Sequence, residues 1–204
     1  MKRTVLFLFL MASILCVKAQ EQGKIRGGMN FGLGLPQAGF GLNADFDIRY
    51  NIKDNVNVGV LLNGAFGLKN LTANATSSLV TATAFTTNAT LLTSDYYFNK
   101  GLSNFAPFLG GGVGLYGVTN LYMTGNGSVN YSSNNSPQPK EDLIPGGLLR
   151  GGFEASRFRL TLMWFLIPNT NLYNEKLVKI GTSENSYINL SLGFYIGGGK
   201  WKKN

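Results

Sequence analysis

The sequence predicts an all-β chain: an eight-stranded antiparallel up-and-down transmembrane β-barrel. Three observations carry that expectation. Apolar and polar residues alternate with a period of two through eight segments, short turns alternate with longer polar connections, and the chain opens on an export signal.

The opening comes first. Lys2 and Arg3 precede an apolar run over 5–17, and Ala19 follows with Val17 two positions before it. This is the pattern of a secretory signal peptide over 1–19, too short for a membrane helix. The barrel domain is then expected over 20–204. Cys16, the only cysteine, falls inside the run, and Leu15 before it does not suit a lipidation site. Removing Lys2, Arg3 and Lys18 from the 18 basic residues leaves 15 against 10 acidic ones, a net of +5. The positive charges are scattered apart from Lys200, Lys202 and Lys203, which disfavours a nucleic-acid partner. Only 14% of residues are charged while 27 are glycine, and about a quarter charged is usual for soluble domains.

The first strand is expected over 25–35. Ile25, Met29, Phe31, Leu33 and Leu35 share one face, and Arg26, Asn30 and several glycines the other. The second, over 40–50, is the clearest, with Phe40, Leu42, Phe46, Ile48 and Tyr50 set against Asn43, Asp45, Asp47 and Arg49. A turn over 51–55 leads to the third strand, carried by Val56, Val58, Val60, Leu62, Phe66 and Leu68. The fourth, over 79–98, is rich in Thr and Ala and patterned more weakly, ending on Tyr96-Tyr97-Phe98. The fifth starts at Phe105 and runs through Leu109, Val113 and Leu115, and the sixth covers 145–153. The seventh takes Phe158, Leu160, Leu162, Trp164 and Leu166, and the eighth Ile188, Leu190, Leu192, Phe194 and Ile196. About ten residues is the length a tilted strand needs to cross a bilayer.

The connections near Asp54, Lys100-Gly101 and Ser156 are short, whereas 69–78, 119–142 and 168–185 are long and polar. The short connection at Pro36-Gln37 is the exception on the long-loop side. The 119–142 stretch, with Gly125-Asn126-Gly127 in it, reads as a flexible surface loop.

Alternation alone does not say which face points inward. Three features place the polar face inside. Its glycines suit the crowded interior of an eight-stranded barrel. It carries charges of both signs, Arg26, Asp45, Asp47, Arg49, Arg150, Glu154 and Arg159, which make sense as a paired network filling the lumen. Aromatic residues gather near strand ends, as an interfacial girdle requires: Tyr50, Tyr97, Phe98, Phe105, Phe158 and Tyr195 at one end, Tyr116 and Trp164 at the other.

The segment Asp95-Tyr96-Tyr97-Phe98-Asn99-Lys100-Gly101 leads into Pro107-Phe108-Leu109-Gly110-Gly111-Gly112-Val113-Gly114, and the chain closes with Leu190-Ser191-Leu192-Gly193-Phe194-Tyr195-Ile196. With the signal peptide, these segments resemble the outer-membrane β-barrel domain family of Bacteroidetes-type bacteria, related to the small OmpX- and OmpA-like porin-family barrels. The resemblance covers nearly the whole mature chain and implies an outer-membrane location. Such barrels often end on an aromatic residue, whereas this chain continues through Gly197-Gly198-Gly199-Lys200-Trp201 to Asn204, which moves the expected assembly signal to 194–196.

Chemistry is harder to find. The chain has no histidine, which removes the commonest general base and metal ligand. Asp45 and Asp47, flanked by Arg49, fit an ion network better than an acid–base pair. Gly112-x-Gly114-x-x-Gly117 matches a dinucleotide fingerprint, but strand alternation runs through it and no helix pattern follows. No enzyme, cofactor or metal is therefore expected. The expected function is structural or interactive, through the outer loops, for a monomeric barrel whose partners are outer-membrane lipid and a surface molecule. A narrow porin-like channel or carrier of small apolar ligands is the first alternative, and a soluble secreted lipocalin-like barrel with the apolar face inward is the second.

Overall fold

The computed structural model describes residues 21–74, 79–99, 104–125, 141–174 and 176–198; the expected signal peptide lies outside them. Ten strands appear: β1 (Ile25–Leu35), β2 (Phe40–Lys53), β3 (Val56–Asn74), β4 (Leu79–Tyr97), β5 (Phe105–Gly125), β6 (Asp142–Ala155), β7 (Phe158–Leu166), β8 (Thr170–Tyr173), β9 (Lys179–Ser183) and β10 (Tyr187–Gly197). Eight of them form a closed antiparallel ring in the order β4-β3-β2-β1-β10-β7-β6-β5, sealed by pairing of β4 with β5. Closure leaves these strands no free edge and satisfies their backbone polar groups within the wall.

The alternation sets which way each side chain points. In β2 exposed and buried positions alternate without a break through Asn51. Here the exposed residues are the apolar ones: Phe40 and Ile48 stand half or more open, while Asp47 and Arg49 are at most 1% exposed. The same inversion runs around the ring, with Leu33, Leu92, Val113, Leu149, Leu162 and Leu192 all outward. The lipocalin-like alternative needs the apolar face inside, and this fold places it outside.

Two inward glycines make room for large rings. A Cβ on Gly28 would run into the Tyr195 ring, and one on Gly146 would lie 2.7 Å from the Tyr116 ring. The lumen is thus filled by aromatic side chains lying over bare backbone.

Several strands outrun their expected limits. β3 continues to Asn74 and β5 to Gly125, and the 168–185 connection contains the β8–β9 hairpin. The sequence reading stops where the apolar face stops, yet a strand needs only backbone partners to continue. β5 finds them in β4 up to the Val80–Gly125 pair and in β8, through a parallel bridge between Leu121 and Tyr173. The remainder of the 119–142 loop lies outside the described residues.

Inside, the barrel has two levels. Toward the β2–β3 and β6–β7 turns the lumen is ionic, with Tyr97, Ala106 and Phe108 packed into it. Toward the long loops an apolar cluster fills it, including Leu61, Phe85, Leu91, Tyr116, Phe165 and Tyr187. Phe165 stacks on Tyr187 with ring centroids 4.7 Å apart.

Candidate functional site: the lumenal ion network

Strands β1, β2, β4, β6 and β7 each send charged residues inward at the turn end. Arg26, Asp45, Asp47, Arg49, Arg150, Glu154 and Arg159 are all at most 5% exposed. The centre of the assembly is Asp95 on β4, which sequence reasoning missed. Its carboxylate takes Arg150 Nε at 2.7 Å and Nη2 at 3.1 Å, Arg159 Nη2 at 3.1 Å and Arg49 Nη1 at 2.9 Å. Three guanidinium groups from three strands thus converge on one carboxylate, with a bidentate fork from Arg150.

Glu154 forms the second node. It pairs with Arg26 Nη2 at 2.7 Å and Arg159 Nη1 at 3.1 Å, and Arg49 lies 3.8 Å away. Asp47 pairs with Arg49 within β2. The network therefore stitches strands far apart in sequence, which a lumen permits because all its walls face one axis. Asp45 stands apart from it. Its Oδ1 accepts from Asn63 Nδ2 at 2.5 Å, and among the described residues it joins no ion pair.

Two residues expected in the aromatic girdle belong to this network instead. Tyr97 is 1% exposed; its hydroxyl donates to Glu154 Oε1 at 2.8 Å and accepts from Arg49, Arg159 and Asn57, each at 3.2 Å. Tyr195 is 3% exposed, with its hydroxyl 2.9 Å from Asp47 Oδ2 and accepting from Arg49 Nη2 at 3.0 Å. Position parity decides both cases. Tyr195 is in phase with the inward Asn189 and Ser191, and Tyr97 with Leu91, Thr93 and Asp95, so neither can reach lipid without a slip of the whole strand. Tyr116 is likewise inward and fully buried, donating to the Gly147 carbonyl at 2.7 Å. Tyr50, Phe98, Phe105, Phe158 and Trp164 do stand on the outer surface, each about half exposed or more.

Cations also lie over rings. The Arg159 guanidinium carbon sits 3.6 Å from the Phe108 centroid and that of Arg26 4.6 Å from the Tyr195 centroid. Such contacts contribute about 0.5–2 kcal/mol each, more where water is excluded. Chemically the network is a set of mutually neutralising charges locked by the phenols of Tyr97 and Tyr195. The glycine fingerprint over 112–117 lies inside β5, which continues as strand to Gly125.

No protein-family model matches the chain, and no curated protein matches it. Solved structures of similar shape do exist. The N-terminal β-barrel domain of Pseudomonas aeruginosa OprF aligns at 14% identity over 87% of this chain and 100% of that one, with a TM-score of 0.45. The Neisserial surface protein NspA aligns at 12% identity over 85% and 95%, with a TM-score of 0.49. Pseudomonas aeruginosa OprG aligns at 11% identity over 88% and 99%, also with a TM-score of 0.49.

Proposed function

We propose that the chain is a small integral outer-membrane barrel, exported by its N-terminal segment, whose role is structural or interactive and is exercised through the loop end. The inversion of its two faces carries this reading. A wall that exposes Phe31, Leu42, Leu162 and Leu192 while burying Arg49, Asp95 and Glu154 has a low free energy in hydrocarbon and a high one in water. Membrane lipid is its first partner.

The ion network and the aromatic cluster above it fill the lumen, which supports an anchor over a conduit or an apolar-ligand carrier. The β8–β9 hairpin and the loop-end extensions of β3, β4 and β5 form the surface a second, external partner would meet. Neither a nucleic-acid partner, a cofactor nor catalysis forms part of this reading, and a monomer suffices for it.

Fractionation of the native host, followed by gel migration with and without boiling and by planar-bilayer recording, tests it. The expected result is recovery with the outer membrane, faster migration when unboiled, and no steady conductance. A freely soluble protein would overturn the location, and a steady ionic current would replace the anchor with a pore.

A further inference from the structure

The outer wall is not uniform. β2 turns Phe40, Leu42, Phe46 and Ile48 outward, and β10 turns Ile188, Leu190, Leu192 and Phe194. β4 differs: beyond Tyr96 its outward positions read Ser94, Leu92, Thr90, Asn88 and Thr86, all exposed. These polar groups stand within the apolar band. Asn88 pairs with Gly64 of β3, and the outward face of β3 continues past that row with Phe66 opposite Thr86 and Leu68 opposite Ala84. Phe66 is 59% exposed.

Ser94 Oγ donates to the Asn57 carbonyl at 2.8 Å. No hydrogen bond among the described residues reaches the side chains of Thr86, Asn88 or Thr90. Hydrocarbon supplies none either, and a polar side chain without a partner there is costly. The row through Asn88 is also low. Gly64 flanks it on β3 and Gly117 on β5. A Cβ on Gly64 would lie 3.8 Å from Asn88 Oδ1, so that side of the amide is open, whereas one on Gly117 would run into the Glu141 carboxylate. A charged group thus borders the row, and lipid tails gain nothing by covering it.

We propose that this face docks a second copy of the chain within the membrane, with Asn88 at the twofold axis. Symmetry favours a copy over an unrelated protein. Export and insertion give both copies one orientation, so the axis runs along the membrane normal and residues of equal depth meet. Asn88 then faces Asn88. A carboxamide is donor and acceptor at once, and the two amides satisfy each other. Barrel strands tilted by about 35–45° and related by that axis cross at about 70–90°. The copy's β4 therefore runs close to the direction of the Gly64–Asn88–Gly117 row, where the low relief at Gly64 admits it. Small residues that allow close approach, with polar residues bonding across, are how surfaces associate in lipid.

The inference rests on the outer wall facing lipid, and the test separates the two. Full-length protein folded in detergent micelles is followed by sedimentation equilibrium, with the compact unboiled gel band reporting the barrel. The expected result is a concentration-dependent dimer, weakened roughly tenfold in Asn88→Leu and unchanged in Leu162→Ala on β7. Asn88→Leu places an apolar side chain on an outward position, so the barrel itself is not at risk. In outer membranes of the native host, oxidation should cross-link Asn88→Cys to itself and leave Leu162→Cys single; Cys16, the only other cysteine, falls in the expected signal peptide. A compact barrel that stays monomeric at every concentration would overturn the interface and leave the barrel standing. A dimer indifferent to Asn88→Leu, or a cross-link from position 88 to a different protein, would overturn the second copy as its occupant. A freely soluble protein would overturn both readings.

Discussion

Replacing Asp95 by Asn keeps the shape of the network's central side chain and removes its charge. Four bonds reach this carboxylate: two from Arg150, one from Arg159 and one from Arg49. Asn retains one acceptor oxygen, so about half of these bonds are lost, and hydrogen bonds to charged groups contribute about 1.5–3 kcal/mol each. Three guanidinium groups also lose the charge that neutralised them. Removing one partner of a buried ion pair costs about 3–5 kcal/mol, and Asp95→Asn is expected to fall in that range. Urea unfolding in lipid vesicles, followed by tryptophan fluorescence and by the compact gel band, measures it. Converting Arg150 to Met in the same chain should recover part of the loss, because one unmatched charge leaves with it. A single variant within about 1 kcal/mol of the parent would refute the hub and mean that the other carboxylates, or water, neutralise these arginines without it.

Two more expectations follow from the packing. Gly28→Ala places a methyl group against the Tyr195 ring. Overpacking of about 1–3 kcal/mol should lower the urea midpoint, and Gly27→Ala, whose Cβ meets only the Asp47 carbonyl at 3.9 Å, should not. Asn185 accepts from Lys69 and Asn120 and donates to the Pro168 carbonyl and Thr170 Oγ1, so it ties the base of the β8–β9 hairpin to β3 and β5. Asn185→Ala should speed proteolysis and amide exchange within 168–185 while leaving the midpoint of the barrel nearly unchanged.

Alternation made the barrel legible. The β1, β2, β7 and β10 segments could be placed from their side chains because each carries an unbroken apolar face, and a period of two assigns every residue to one side or the other. Asp95 escaped because β4 has Thr and Ala on both faces, so its phase was faint where its most connected residue lies. Aromatic character and a place near strand ends point Tyr97 and Tyr195 to the girdle, whereas parity, which the sequence also contains, points them inward. The β8–β9 hairpin left almost no pattern, since strands of four and five residues above the apolar band have little to alternate.

The sequence by itself thus determined the eight strands of the ring, their two faces and the presence of both charge signs on the inner one, because these follow from local chain geometry. Only the tertiary structure decided who meets whom. Ring closure brings β2, β4, β6 and β7 around one axis, so that Asp95 gathers three arginines while Asp45, two residues from Asp47 on the same face, is left among amides. Pairing inside a lumen depends on register and strand order summed around the whole ring, and no local stretch of chain carries that sum.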